Sequence, residues 1–180
     1  MFIDLLRKRR SIRRYEDRPV ERDKLDLIIE AALRSPSSRS LNPWEFVVVT
    51  DREVLERLSR AKEHGSSFLK NAPLGIVVCA DPERCDVWVE DCSIASIIIQ
   101  LTAHDLGLGS CWIQIRGRMH NATRTAEEYV KEVLGIPEKM VVESIIAIGY
   151  PAEEKPPHPV ESLQWEKVSF EVYGKKRDVT

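Results

Sequence analysis

Cysteine is scarce in this sequence, and long apolar runs are absent. The four cysteines, Cys79, Cys85, Cys92 and Cys111, are irregularly spaced and do not form the dense disulfide framework of a small secreted protein. No run of about 18 apolar residues without charge occurs, so no membrane span is predicted. The N-terminus carries charge where a secretory signal needs an apolar core. These absences predict a cytoplasmic protein with reduced thiols.

An excess of either charge is also absent. The 180 residues include 27 Lys and Arg against 29 Asp and Glu, a net charge of -2 at pH 7, which gives no electrostatic reason to expect nucleic acid or an anionic membrane as partner. The 43% hydrophobic and 31% charged residues are typical of a folded globular chain. Residues 1–180 are therefore predicted to form a single domain. No metal site is predicted, since Cys85 and Cys92 lack a second ligand pair.

Alternating helices and strands are predicted from the spacing of apolar residues and from turn residues. The predicted helices cover residues 2–9, 20–33, 51–61, 91–106 and 126–134, with Asp51 as the cap of the third. The predicted strands cover residues 46–49, 74–80, 110–115 and 141–148. Helices packed around a small sheet indicate an α+β domain.

Two segments suggest contacts beyond a single chain. The helix predicted over 91–106 is apolar almost all round, so it needs cover on nearly every side and is expected at the centre of the fold or at a subunit interface. Residues 152–180 begin with a proline-rich stretch and continue with alternating large apolar residues such as Trp165 and Phe170. This extended C-terminal arm is predicted to dock across a dimer.

A compact group of anion-binding side chains lies near the N-terminus. Arg9, Arg10, Ser11 and Arg13 offer three guanidiniums and a hydroxyl within five residues, and arginine has paired donors that match a phosphate. At helical spacing residues 9 and 13 would lie on one face. Taken alone, the group is equally consistent with a solvated basic terminus.

A serine-rich loop follows the second predicted helix. Pro36, Ser37, Ser38 and Ser40 precede Asn42-Pro43-Trp44, so small hydroxyls and backbone amides could bond the polar edge of a ring. On its own such a loop is more often a Ser/Pro turn closed by a core tryptophan. The later pair Gly107 and Gly109 is not a dinucleotide fingerprint, because a helix precedes it and a strand follows.

The order of these motifs resembles the nitroreductase family. Arg-x-Ser-x-Arg near residue 10 is followed by Pro-Ser-Ser and Pro-Trp-x-Phe, then by Gly-Leu-Gly-Ser-x-Trp-Ile, Leu-Gly-Ile-Pro and Ile-Gly-Tyr-Pro. The resemblance covers about residues 2 to 155. It implies the α+β nitroreductase-like fold, a small, mainly antiparallel sheet flanked by helices, in an intertwined homodimer with two FMN molecules at the subunit interface.

The resemblance also assigns cofactor-binding residues. It places Arg9, Arg10, Ser11 and Arg13 at the FMN, the first of them on the phosphate and the last toward the ring. Pro36, Ser37, Ser38 and Ser40 match the loop that the partner subunit lays against the flavin, and Gln114 and Ile115 match the strand whose backbone amides face the N5 edge of the ring. Many members add a Lys or Arg to the phosphate after Gly-Tyr-Pro, where this chain offers Lys155 and His158.

The function implied is an FMN-dependent oxidoreductase that passes hydride from NADH or NADPH through flavin N5 to a nitroaromatic, quinone or similar small electrophile. Arg13 is the candidate for stabilising the reduced flavin. The alternatives are a flavin-binding protein without NAD(P)H turnover and a reductive dehalogenase-like relative. The resemblance further implies that mobile segments above the flavin set the substrate, and residues 63–70 and 119–125 are the candidates for them.

Overall fold

The computed structural model describes residues 1–177, and within them five α-helices alternate with four β-strands. The helices are α1 (Phe2–Lys8), α2 (Arg22–Leu33), α3 (Arg52–Leu58), α4 (Trp88–Asp105) and α5 (Ala126–Leu134). The strands are β1 (Trp44–Val49), β2 (Leu74–Ala80), β3 (Gly109–Gln114) and β4 (Val141–Gly149). The bounds of β2 and α5 are those predicted, and the largest differences are an earlier start of α4 and an earlier end of α3.

The four strands form one sheet in the order β1-β2-β4-β3, and every neighbouring pair is antiparallel. The α+β class with a small antiparallel sheet is confirmed. Strand β3 lies at one edge of the sheet, so its outer backbone groups are not paired with another named strand. This edge is where the N-terminal segment binds.

The sheet separates two apolar cores. On one face α2 and α4 contribute Ile28 and Ile99, which pack with Ile146 of β4. On the other face α3 and α5 contribute Leu55 and Val130. Successive side chains of β4 point to opposite faces of the sheet, and an apolar core covers each face. The strand is therefore apolar at all but two positions.

Helix ends are fixed by local side chains. Asp51 caps α3 as predicted, because its carboxylate accepts from the N–H groups of Glu53 and Val54 at 2.9 and 3.0 Å. Thr125 and Glu128 form a reciprocal capping box at the start of α5. Within residues 1–177 no helix has the length and apolar character required to cross a membrane. All four cysteines are buried free thiols, and the cytoplasmic location stays a prediction.

The chain after β4 contains neither α-helix nor strand as far as residue 177. Two short 3₁₀ turns, Val160–Ser162 and Trp165–Lys167, interrupt an extended path. Its large side chains are exposed, Trp165 to 67% and Tyr173 fully. This segment therefore finds no apolar cover within its own chain.

Candidate functional site

Residues 9–13 are extended rather than helical. Helix α1 ends at Lys8, and Arg9 has an extended backbone with φ -61° and ψ 127°. Ser11 forms a parallel bridge with Ser110 of β3, and the Ile12 N–H donates to the Ser110 carbonyl at 2.9 Å. The prediction that residues 9 and 13 share a helical face is therefore wrong. The segment instead runs along the outer edge of β3, because the edge carbonyls offer it a partner.

A glycine permits this close approach. An added Cβ at Gly109 would lie 2.8 Å from Cβ of Ile12, and 2.9 Å from both of its γ carbons. These separations are shorter than real carbon atoms tolerate, so any larger residue at position 109 would displace Ile12. Gly109 therefore does more than end the preceding helix and turn: it sets the distance between the basic segment and β3.

The chain that follows β4 forms hydrogen bonds with the basic segment, residues 9–13, on the side away from β3. The Glu153 carboxylate accepts from the Arg13 and Arg14 N–H groups at 2.6 and 3.2 Å, and the first of these bonds chiefly holds the pKa of Glu153 below its usual range. Lys155 donates from Nζ to the Ser11 carbonyl at 2.7 Å and pairs with Glu153 at 3.2 Å. Of the two C-terminal candidates, Lys155 thus lies on the basic segment.

The Arg10 guanidinium donates to the Pro156 carbonyl, and the guanidiniums of Arg9 and Arg13 are the ones left available. Among residues 1–177, neither Arg9 nor Arg13 has a carboxylate within salt-bridge distance. Both lie near Cys111, where burial raises the pKa of the thiol and the charges of Arg13 and Lys155 oppose that rise. A cavity of about 180 Å³ opens beside the segment and is lined in part by Arg10 and Lys155. Arg9 lies near His104 of the cavity wall, and an arginine without a carboxylate partner fits a phosphate.

The serine loop has a strained backbone. A 3₁₀ turn covers Ser38–Ser40, and Arg39, Ser40 and Asn42 have φ values of 53°, 55° and 47°. Left-handed geometry costs a residue other than glycine about 1 kcal/mol. Three such residues within four positions require strong local support, and strain of this kind is common at ligand sites.

A buried carboxylate supplies that support. Asp91 of α4 is 2% exposed; it accepts from the Ser38 N–H at 2.9 Å and from the Cys85 thiol at 3.3 Å. Within the loop, Ser37 Oγ donates to Asn42 Oδ1 at 2.7 Å and accepts from the Asn42 N–H at 2.9 Å. The loop is therefore anchored to the N-terminal half of α4.

We expect Asp91→Ala to lower the free energy of unfolding by about 2 kcal/mol, because it leaves the Ser38 N–H and the Cys85 thiol without their acceptor. Denaturant unfolding measures the change. Asp91→Asn keeps one acceptor and should recover part of the loss, while Glu90→Ala removes an exposed neighbour and serves as the control. Equal stability of the Asp91→Ala and Glu90→Ala variants would show that Asp91 does not anchor the loop.

Gln114 is the last residue of β3 and Ile115 follows it, and their backbone amides differ in whether they are already hydrogen-bonded. The Ile115 N–H donates to the Glu143 carbonyl at 3.1 Å, so the amide predicted to face the flavin is already engaged. Backbone groups alternate in an antiparallel strand, which turns the Gln114 N–H to the outer edge of β3. The Gln114 side chain accepts from Trp112 Nε1 at 2.9 Å. Of the two predicted amides, only that of Gln114 remains available.

The basic segment and the serine loop lie at opposite ends of α4. The loop contacts Asp91, whereas burial and the charge of Arg9 lower the pKa of His104. Asp91 and His104 are 13 residues apart on this helix, or about 20 Å at 1.5 Å per residue. The structure thus gathers Arg9 to Arg13, Lys155 and Gln114 at one edge, and does not bring the serine loop to them within one chain.

Two buried carboxylates escaped the sequence predictions. Asp91 was placed within an apolar helix without a role. Glu143 of β4 is 3% exposed, burial raises its pKa, and within residues 1–177 its Oε2 atom has no hydrogen-bond partner. The available signal was a single acidic residue among the apolar residues of a predicted strand. Lys62 and Arg118, which lie near the site, carried no comparable signal.

The comparisons with known proteins agree with the resemblance inferred from the order of the sequence motifs. The family model described as the nitroreductase family matches residues 6–64 and 59–150. A protein of Archaeoglobus fulgidus, assigned by name to the NADH dehydrogenase/NAD(P)H nitroreductase class, is 41% identical over 157 residues, which cover 85% of this chain and 87% of that protein. An FMN reductase [NAD(P)H] of Bacillus subtilis is 29% identical, with 89% and 71% covered.

Solved structures show the same similarity in three dimensions. An FMN-dependent nitroreductase from Clostridium difficile R20291 superimposes with a TM-score of 0.94 at 53% identity, covering 95% of this chain and 99% of its own. A protein from Parabacteroides distasonis superimposes with a TM-score of 0.87 at 31% identity, covering 96% and 98%.

Proposed function

The chain belongs to the nitroreductase family, and from this premise we propose that it is an FMN-dependent oxidoreductase that transfers hydride from NADH or NADPH to a small electrophilic acceptor, such as a nitroaromatic or a quinone. The observation that carries the proposal is the pair of uncompensated guanidiniums, Arg9 and Arg13, held along the free edge of β3. Residues 1–180 are proposed to form one FMN-binding domain.

The residues at this edge of the sheet are proposed to bind different parts of FMN. Arg9 and Arg10, together with Lys155, would hold the phosphate, since all three can supply charge-assisted donors. Arg10 and Lys155 line the small cavity, and Arg9 lies near His104 of its wall. The Lys155 bond to the Ser11 carbonyl and the Glu153 bond to the Arg13 N–H fix the backbone that carries these donors. Bound FMN supplies the chemistry, because its ring accepts hydride from a nicotinamide and passes it to a second molecule.

Arg13 is proposed to tune the cofactor. Its guanidinium lies 5.8 Å from the centre of the Phe68 ring, and its backbone is fixed by Glu153. A positive charge held beside the ring would stabilise the negative charge that reduction places there, and would raise the reduction potential. The Gln114 N–H at the outer edge of β3 would orient the reacting side of the ring. No side-chain general base is required.

We infer a homodimer from what one chain leaves incomplete. The serine loop (Pro36, Ser37, Ser38 and Ser40) lies at the Asp91 end of α4, and the basic segment lies near its His104 end. These ends are about 20 Å apart along the helix axis, which is too far for one ring to touch both. A second copy can bring its serine loop to this edge. Helix α4 also leaves Ile94 and Ile97 more than one third exposed, an apolar surface suited to such an interface.

We propose that the C-terminal arm, residues 152–180, of which 178–180 lie outside the described residues, docks on the partner subunit. An apolar groove of about 350 Å³ runs between α2 and the edge strand β1 and is lined in part by Leu33, Trp44 and Phe46. Within residues 1–177, the buried Trp44 Nε1 has no hydrogen-bond partner. An extended arm with alternating large side chains can pair with a strand edge and fill such a groove.

Anaerobic absorption spectroscopy tests the activity. The purified protein should be yellow, NADH or NADPH should bleach it, and a quinone or nitroaromatic should restore the colour. A yellow protein that neither nucleotide bleaches would be a flavin-binding protein without turnover. Protein that stays colourless in excess FMN would exclude the cofactor assignment itself.

A further inference from the structure

A further cavity lies among the segments expected to determine which acceptor binds. It has a volume of about 390 Å³ and lies between the end of α3, the 3₁₀ turn Ser67–Asn71 and the loop after β3. Its wall includes Arg60, Lys62, Lys70 and His120. These residues belong to, or lie beside, the segments 63–70 and 119–125, which are expected to determine which acceptor the protein uses.

The charges on this wall do not cancel. Arg60 pairs with Glu56 at 2.7 Å, which leaves Glu63 as the only other carboxylate that lines the cavity. Among residues 1–177, Lys62, Lys70 and Arg118 have no carboxylate within salt-bridge distance. The cavity and its border therefore carry an excess of positive charge in a protein whose net charge is negative.

Lys62 is the cation in the least favourable position. Its side chain is partly buried, burial lowers its pKa, and the nearby charge of Arg118 lowers it further. An ordinary surface lysine avoids both costs by extending into water. A bound oxyanion would offset both, since it would compensate the two positive charges at once.

A shared structural element connects the cavity to the proposed flavin edge. Phe68, beneath the Arg13 guanidinium, belongs to the same 3₁₀ turn that provides Lys70. His120 holds the loop to this wall, with Nδ1 2.8 Å from the Arg60 carbonyl oxygen.

We propose that Lys62, supported by Arg118 and Lys70, binds an oxyanion on the molecule that exchanges electrons with the flavin. The proposal rests on the proposed function and narrows its substrate class to molecules with a carboxylate or phosphate group. Two sources share this chemistry: a carboxylate on the acceptor, and the 2′-phosphate of NADPH.

The experiment compares 4-nitrobenzoate with its methyl ester, which keeps the nitroarene and removes the charge. In FMN-loaded protein, Lys62→Met should raise KM for 4-nitrobenzoate about tenfold, the effect of one lost charge-assisted bond, and should change KM for the ester less than about twofold. Lys62→Arg should retain most of the preference. Arg22→Met removes an exposed charge on α2 and should leave both KM values unchanged. Titration calorimetry with 4-nitrobenzoate, without NAD(P)H, reports binding independently of turnover.

A second arm measures KM for NADPH and NADH in the same variants. A rise confined to NADPH, with the two acceptors unaffected, would assign the oxyanion to the nucleotide. If Lys62→Met changes neither the acceptor selectivity, nor the nucleotide selectivity, nor the calorimetric affinity, the proposal is overturned. Wild-type protein that oxidises neither nucleotide with any acceptor would instead refute the proposed function, and calorimetry would still decide whether Lys62 binds the oxyanion.

Discussion

Arg9→Ala should weaken FMN binding by about 30-fold, because it removes a charge-assisted donor pair from the phosphate. The Arg9 guanidinium has no competing carboxylate among residues 1–177. Its backbone N–H still caps α1 through the Leu5 carbonyl at 2.9 Å, so the fold should be unaffected. Quenching of free FMN fluorescence on titration with apoprotein gives the dissociation constant.

Arg7→Ala is the matched control for this change. Arg7 lies two residues before Arg9, at the end of α1, but its exposed side chain pairs with Asp4 at 2.9 Å. Removing it changes the net charge equally and should change FMN affinity less than about threefold, since exposed ion pairs contribute little. Equal effects of the two variants would mean that general electrostatic attraction, rather than a defined phosphate contact, accounts for the binding.

Gly109→Ala should reduce both stability and FMN affinity. The added methyl group would lie within 2.9 Å of three Ile12 carbons, and relief requires residues 9–13 to move away from β3. We expect the free energy of unfolding to fall by about 1–3 kcal/mol, the usual cost of overpacking. The phosphate donors would move with the segment. Thermal unfolding of the apoprotein and FMN titration measure the two effects separately.

The control for this variant is Gly135→Asn. Gly135 ends α5 in left-handed geometry with φ 66°, and an added Cβ there meets nothing within 4 Å. Asparagine tolerates this geometry, so stability should change little and FMN affinity not at all. Gly109→Ala with wild-type affinity for FMN would mean that the contact between Ile12 and β3 does not position the cofactor-binding residues.

Local signals in the sequence predicted the elements well. Strand β2 and helix α5 have their predicted bounds because each is a clear apolar pattern between strong end signals, such as Thr125 and Gly135 around α5. The start of α4 was predicted too late, since the acidic residues Glu90 and Asp91 interrupt the apolar pattern although the helix already begins at Trp88. Strand order was not predictable, because it depends on pairing between distant segments.

The sequence identified the basic segment as a candidate site, but it did not predict the geometry of that segment. Arginine spacing indicated a phosphate site, yet the segment that carries it is extended, because the edge of β3 offers Ser110 as a partner. The engaged amide of Ile115 depends on a pairing with Glu143 that no local pattern reveals. The surroundings of Asp91 and Lys62 depend on burial and on residues more than 50 positions away in the sequence. The identity of a single residue indicates neither its burial nor such a distant contact. The cofactor-binding roles stay predictions.

The most direct test of the shared FMN site uses mixed dimers. One subunit carries Arg9→Ala and the other carries Ser37→Phe, which puts a bulky ring into the serine loop at an extended backbone position, φ -139°. In such a dimer one site has both defects and the other has neither. Each variant homodimer should bind little FMN, while the purified heterodimer should bind one FMN per dimer with wild-type affinity. A heterodimer without FMN, or a wild-type protein that is monomeric when loaded with FMN, would contradict a site built from two subunits.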